Sequence, residues 1–79
     1  MQVSSTNYKK LVGLQVKKFR RGQNITQSDL AEHCGIYRTY LSRIESGIAN
    51  PTLVTLVALA DAMKVSPHTL LQSEPEALA

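Results

Sequence analysis

The stretch "GIYRTYLSRIESG", Gly35 to Gly47, decides how this chain folds. Glycine stands at both ends, and glycine is the residue most at ease in the left-handed backbone that stops a helix. Between the glycines, Leu41 and Ile44 are three residues apart, so a helix of 3.6 residues per turn gathers them into one narrow apolar stripe. Arg38, Thr39, Ser42 and Arg43 share another face, at spacings i, i+1, i+4 and i+5. The pattern predicts a helix over about 38–46. One feature is out of place. The residue before the helix is Tyr37, where a Ser, Thr, Asp or Asn side chain would accept an amide hydrogen bond. Losing such a cap costs about 1 kcal/mol.

On the N-terminal side, Thr26 reads as the cap of a short helix from Gln27 to about Cys34, with Asp29 favourable in its first turn and Leu30, Ala31 and Cys34 inward. Before it, Tyr8, Val12, Val16 and Phe19 form the inner stripe of a helix from about Tyr8 to Arg21. Gly22–Gln23–Asn24 ends that helix, with Asn24 suited to a left-handed stop. On the C-terminal side, the loop "GIANP" leads to Thr52 as the cap of a helix from Leu53 to about Met63, with Leu53, Leu56, Leu59, Ala60 and Met63 inside. Ser66–Pro67, a cap followed by proline at the first helical position, opens a fifth helix to about Gln72. The expected fold is an all-α, compact five-helix bundle over residues 8–72. Residues 1–7 and 73–79 read as flexible ends.

A chain of 79 residues makes one small domain. Its single cysteine, Cys34, allows no internal disulfide and fits a reducing cytoplasm. The opening "MQVSSTNYKK" has no apolar run of signal-peptide type, and no stretch reaches membrane-spanning length. A cytoplasmic location without membrane contact is expected. The net charge is +3, unevenly placed: residues 1–50 carry +5 and residues 51–79 carry −2. Such asymmetry suggests that the first half meets a polyanion. The Lys9–Lys10 and Lys17–Lys18 pairs fit general attraction. His33, Cys34 and His68 do not make a metal site, because adjacent helical residues diverge by about 100° and His68 is remote in sequence. No nucleophile–base pair, carboxylate pair or glycine-rich phosphate loop is present, so neither an enzyme, a cofactor nor a small-molecule ligand is expected.

Two short helices joined at a glycine form a helix-turn-helix candidate. In that arrangement the first helix presents its N-terminus to phosphate, and the second enters the major groove. Arginine can read guanine bidentately, and threonine offers a hydroxyl and a methyl. The segments "TQSDLAEHCG", "YRTYLSRIESG" and "NPTLVTLVALADAMKVS" together resemble the Xre or phage-repressor class of regulators, with a lambda-repressor-like DNA-binding domain, over about Val12 to Leu71. "RTYLS" also resembles the controller proteins of restriction–modification systems. The resemblance implies base reading by Arg38, Thr39, Ser42 and Arg43. It places Gln27, Tyr40, Asn50 and Thr52 on the DNA backbone, and makes Arg20 and Glu45 a structural ion pair. Two departures stand out. Tyr37 replaces the usual cap, leaving packing on the DNA backbone or on the second helix as its expected roles. Ile48 and Ala49 stand where related proteins often carry Arg or Lys.

One recognition helix reads few base pairs, so a homodimer on a palindromic duplex is expected, with half-sites about one DNA turn apart. Met63, Val65, Leu70 and Leu71, with Leu78, are the expected interface. The implied function is transcriptional regulation, by occlusion or by recruitment through an RNA polymerase contact. Two alternatives stay open: an antitoxin-type autorepressor with a toxin partner, and a helical module of this class used for protein or RNA contact.

Overall fold

The computed structural model describes residues 5–72, with side chains from residue 7 onward. Four α-helices follow one another: α1 (Ser5–Gly22), α2 (Gln27–Cys34), α3 (Arg38–Glu45) and α4 (Leu53–Ala62). A 3₁₀ helix, Pro67–Leu71, closes the described chain, and no strand occurs among the described residues. The expected fifth α-helix is therefore a 3₁₀ turn. Five residues make little more than one helical turn, and the bonds from Thr69 N to Ser66 O (2.9 Å) and Gln72 N to Thr69 O (3.3 Å) have the tighter i→i+3 spacing. Ser66 has cap backbone angles, but its hydroxyl makes no cap bond. At the other end, Ser5–Asn7, expected to be flexible, belong to α1. Residues 1–4 and 73–79, with the expected flexible tail and Leu78, lie outside the described residues.

The threonine caps form as the sequence predicts. Thr26 Oγ1 accepts from Asp29 N at 3.0 Å, and Thr52 Oγ1 accepts from Thr55 N at 3.1 Å. We expect Thr26→Ala to cost about 1 kcal/mol, a fall of about 4–8 °C in Tm for a domain this size, read by thermal melting. Asn24 (φ 58°) and Gly35 (φ 70°) take left-handed backbone after α1 and α2. After α4 that role falls to Lys64 (φ 60°), a side chain poorly suited to it. Lys64→Gly should raise stability by about 0.5–1 kcal/mol in the same assay.

One cluster fills the centre: Val12 and Val16 of α1, Leu30 and Ala31 of α2, Leu41 and Ile44 of α3, Leu56, Leu59 and Ala60 of α4, with Ala49, Met63 and Leu70 from the connections and the 3₁₀ turn. Two residues expected inside are outside. Tyr8 is 42 % exposed and Leu53 is 75 % exposed. The stripe of α4 centres on Leu56, Leu59 and Met63, and the 100° step puts Leu53 about 80° from that centre, on an end turn that projects past the core. A third expectation changes more. Met63 and Leu70, placed at the dimer interface from sequence, are fully buried within the chain and cannot touch a partner. The reason is the fold-back of the 3₁₀ turn onto α1. The buried Gln15 amide donates to Thr69 O (3.2 Å) and Gln72 O (2.9 Å), pinning the turn over the core. Of the expected interface, Val65 is half-buried against the core and Leu71 remains exposed.

Candidate nucleic-acid interface

Gly35–Tyr37 connect α2 to α3. The amides of Gly35 and Ile36 bond back to Glu32 O and Ala31 O at 3.2 and 3.0 Å, so the turn is held by the end of α2. Leu41 and Ile44 then anchor α3 from below, each with no exposed surface. Arg38, Thr39 and Arg43 stand exposed on the other face, and Ser42 is half-buried beside them. The four residues implied for base reading thus share one accessible face of a short, firmly seated helix.

Beneath that face is a charged brace. Arg20 of α1 grips Glu45 of α3 with two bonds, Nε to Oε2 at 2.6 Å and Nη2 to Oε1 at 3.0 Å. Both side chains are shielded from solvent, at 10 % and 3 % exposure. The remaining guanidinium nitrogen, Nη1, donates to Ile25 O at 2.8 Å, so the pair also fixes the α1–α2 connection. Glu45 raises the Arg20 pKa first by hydrogen bonding, so the guanidinium is held charged despite its burial.

Gln27 extends this brace. Its Nε2 donates to Glu45 Oε1 at 3.0 Å, and its Oε1 accepts from Arg38 Nη1 at 3.3 Å. The resemblance places Gln27 against phosphate, whereas in the free protein both ends of its amide are engaged within the chain. It ties the first residue of α3 to the Arg20–Glu45 pair. The sequence signal was present, since a long amide at the start of α2 can span to α3, but its two partners, the acceptor Glu45 and the donor Arg38, required the fold.

An open recess of about 640 Å³ lies between α1, α2 and α3, lined by Lys17, Arg21, Thr26, Ser28, Arg38, Ser42 and Ser46 around the brace. Sequence reasoning set Lys17 aside as general attraction and did not single out Arg21. The fold brings both to the rim that Arg38 also lines. Four cations, Lys17, Arg20, Arg21 and Arg38, line the recess against one carboxylate, Glu45, which Arg20 engages. Like charges held together around a concave polar surface raise its affinity for anions.

The other expected contacts are scattered more widely. Tyr37 is 84 % exposed, with extended backbone and no side-chain cap bond, so it does not pack on α2. Tyr40 is half-buried against the core. Asn50 and Thr52 are exposed in the connection before α4, and Thr52 Oγ1 also reaches Thr55 Oγ1 at 3.0 Å. Ala49 is buried in the core, which accounts for a small apolar residue there, while Ile48 is exposed. Since the cap of α3 is unmade, Tyr37→Asp should stabilise the fold by about 0.5–1 kcal/mol in a thermal melt.

No group of three His, Cys, Asp or Glu side chains that could hold a metal occurs among the described residues. No described helix is long and apolar enough to cross a membrane. Cys34 is half-buried, its thiol directed at Ala58 O at 3.5 Å, and burial raises its pKa.

Comparison with known proteins agrees with this geometry. The family model described as "Helix-turn-helix" matches residues 16–70. An HTH-type transcriptional regulator, y4dJ, from Sinorhizobium fredii is 41 % identical over 68 residues, covering 86 % of this chain and 88 % of the relative. The control protein C.SmaI from Serratia marcescens is 38 % identical over 63 residues, covering 80 % and 75 % of the two chains. Among solved structures, that of the biofilm regulator SinR in complex with DNA superposes with a TM-score of 0.73 at 35 % identity, covering 77 % of this chain and 98 % of the other. The matched segment runs from within α1 through the 3₁₀ turn and includes both elements of the site. The chain belongs to the helix-turn-helix family of transcriptional regulators.

Proposed function

We propose that this chain is a sequence-specific regulator of transcription that binds duplex DNA as a homodimer on a palindromic operator. The observation that carries this reading is the exposed row Arg38, Thr39, Ser42 and Arg43 on a helix anchored by Leu41 and Ile44, next to a recess rimmed by Lys17 and Arg21. Long donors on a rigid helix suit base edges, and cations beside it suit phosphate. Tyr37, Asn50 and Thr52, all exposed, serve as backbone contacts in this account, and Gln27 reaches phosphate from its place in the brace. Arg38, Thr39, Ser42 and Arg43 read bases.

The dimer is supported by apolar surface that the core does not use. Leu71 is exposed, and the outer face of α4 adds Leu53, Val54 and Val57. A helix apolar on both faces is ordinarily buried on both. Duplicating α3 across a two-fold axis doubles the sequence read, which a single short helix cannot supply. Acting on cellular DNA, the protein works in the cytoplasm. Occupancy of the operator then blocks or assists transcription, the latter through RNA polymerase. Residues 8–72 carry the binding domain.

The test is selection from a random duplex library. The expected product is an inverted repeat with half-site centres roughly 34–36 Å apart, one helical turn. Recovery of no enriched sequence would remove the regulator reading in favour of a module for protein or RNA contact. A sedimentation mass that stays monomeric at tens of micromolar would remove the dimer.

A further inference from the structure

We infer that Gly13, which lies outside the DNA-facing surface, sets the spacing between α1 and α3 and thereby aims the side chains that read DNA. The inference rests on the DNA-binding reading above and adds a positioning residue to it. Gly13 sits inside α1 and is buried. A Cβ built there would lie 2.4 Å from Ile44 O, 2.8 Å from Glu45 O and 3.1 Å from Glu45 C. All three neighbours are backbone atoms, which cannot swing aside as a side chain would. A second close approach lies one turn away. A Cβ on Gly47 would meet Lys10 Cα and Cγ, each at 3.1 Å. Helix α1 and the end of α3 therefore touch backbone to backbone at two points. Helix separation depends on the side chains at the contact, and at Gly13 backbone faces backbone.

The same end of α3 carries the brace. Glu45 holds Arg20, and through Gln27 it reaches Arg38. A methyl group at position 13 must push Ile44 and Glu45 away by about 1 Å to restore ordinary contact. That displacement moves the helix and strains its brace together, whereas binding constellations tolerate about 0.5 Å. Helical propensity favours alanine over glycine within a helix, so propensity alone predicts that Gly13→Ala is harmless. Spacing predicts the opposite.

Gly13→Ala is compared with wild type and with Gly22→Ala, since a Cβ at Gly22 meets nothing within 4 Å. All three carry Lys64→Gly to offset lost stability, and circular dichroism gives the folded fraction. Affinity is measured by fluorescence anisotropy for the selected duplex and for a random duplex. We expect Gly13→Ala to weaken specific binding about tenfold, on the order of one good base contact, while random-duplex affinity stays within about threefold. Gly22→Ala should match wild type. Specific binding retained within about threefold would overturn the inference. So would equal loss on both duplexes, or a Gly13→Ala chain that remains unfolded, because the contact would then serve the fold and not the aim of α3. A wild type that prefers no duplex would instead sink the DNA reading itself, and this inference with it.

Discussion

Glu45→Ala should lower stability by about 3 kcal/mol, enough to drop Tm by roughly 15 °C in a domain of this size. The Glu45 side chain is 3 % exposed, and three donors converge on its carboxylate: two guanidinium nitrogens of Arg20 and the Gln27 amide. Removing it leaves Arg20 charged and shielded, with only Ile25 O as a named acceptor. The cost comes mainly from stranding that charge, not from the pair's net worth. The double variant Arg20→Met, Glu45→Leu should therefore recover much of the loss, which denaturant melts of the single and double variants would reveal. Glu45→Ala costing no more than an exposed ion pair, under about 1 kcal/mol, would show the brace to be decorative.

Arg38→Ala should weaken binding to the selected duplex by about 10- to 100-fold, the range of one bidentate base contact, and leave random-duplex binding within about threefold. The geometry favours this. Arg38 is the first residue of α3, exposed, and steadied by Gln27 at 3.3 Å. Equal loss on both duplexes, with a fall of about 0.9 in the salt slope, would mean that it contacts phosphate instead. Lys17→Ala with Arg21→Ala supplies the contrast. Those residues line the recess from α1, outside the base-reading helix, so their loss should lower both affinities together.

Much of this was legible before the fold. Thr26, Thr52, Asn24 and Gly35 mark helix ends by local chemistry, which needs no tertiary partner. The exposed row of α3 follows from 3.6-residue spacing around Leu41 and Ile44. The Arg20–Glu45 pair entered through family resemblance, and the structure gives its bidentate form. Other features depend on what arrives from elsewhere in the chain. Leu53 was misplaced because α4 is apolar on both faces, and periodicity cannot choose between two apolar faces; Met63 and Leu70 were misplaced because the fold-back of the 3₁₀ turn onto α1 buries them. Tyr8 was misplaced because its turn of α1 extends past the core. Gly13 carries no signal of its own, since its meaning lies in two carbonyls more than thirty residues away. The double engagement of Gln27 is hidden for the same reason.

That opening segment, Gly35 to Gly47, has kept its anomaly: Tyr37 leaves α3 uncapped and projects into solvent at 84 % exposure. The central claim, that α3 reads DNA, is tested most directly by titrating isotope-labelled protein with the selected duplex and following the amide resonances. The account predicts the largest shifts at Arg38, Thr39, Ser42 and Arg43 and at Gln27, with Tyr37 moving as the neighbouring backbone contact. Large shifts confined to Leu53, Val54 and Val57 on the outer face of α4, with α3 unmoved, would contradict it.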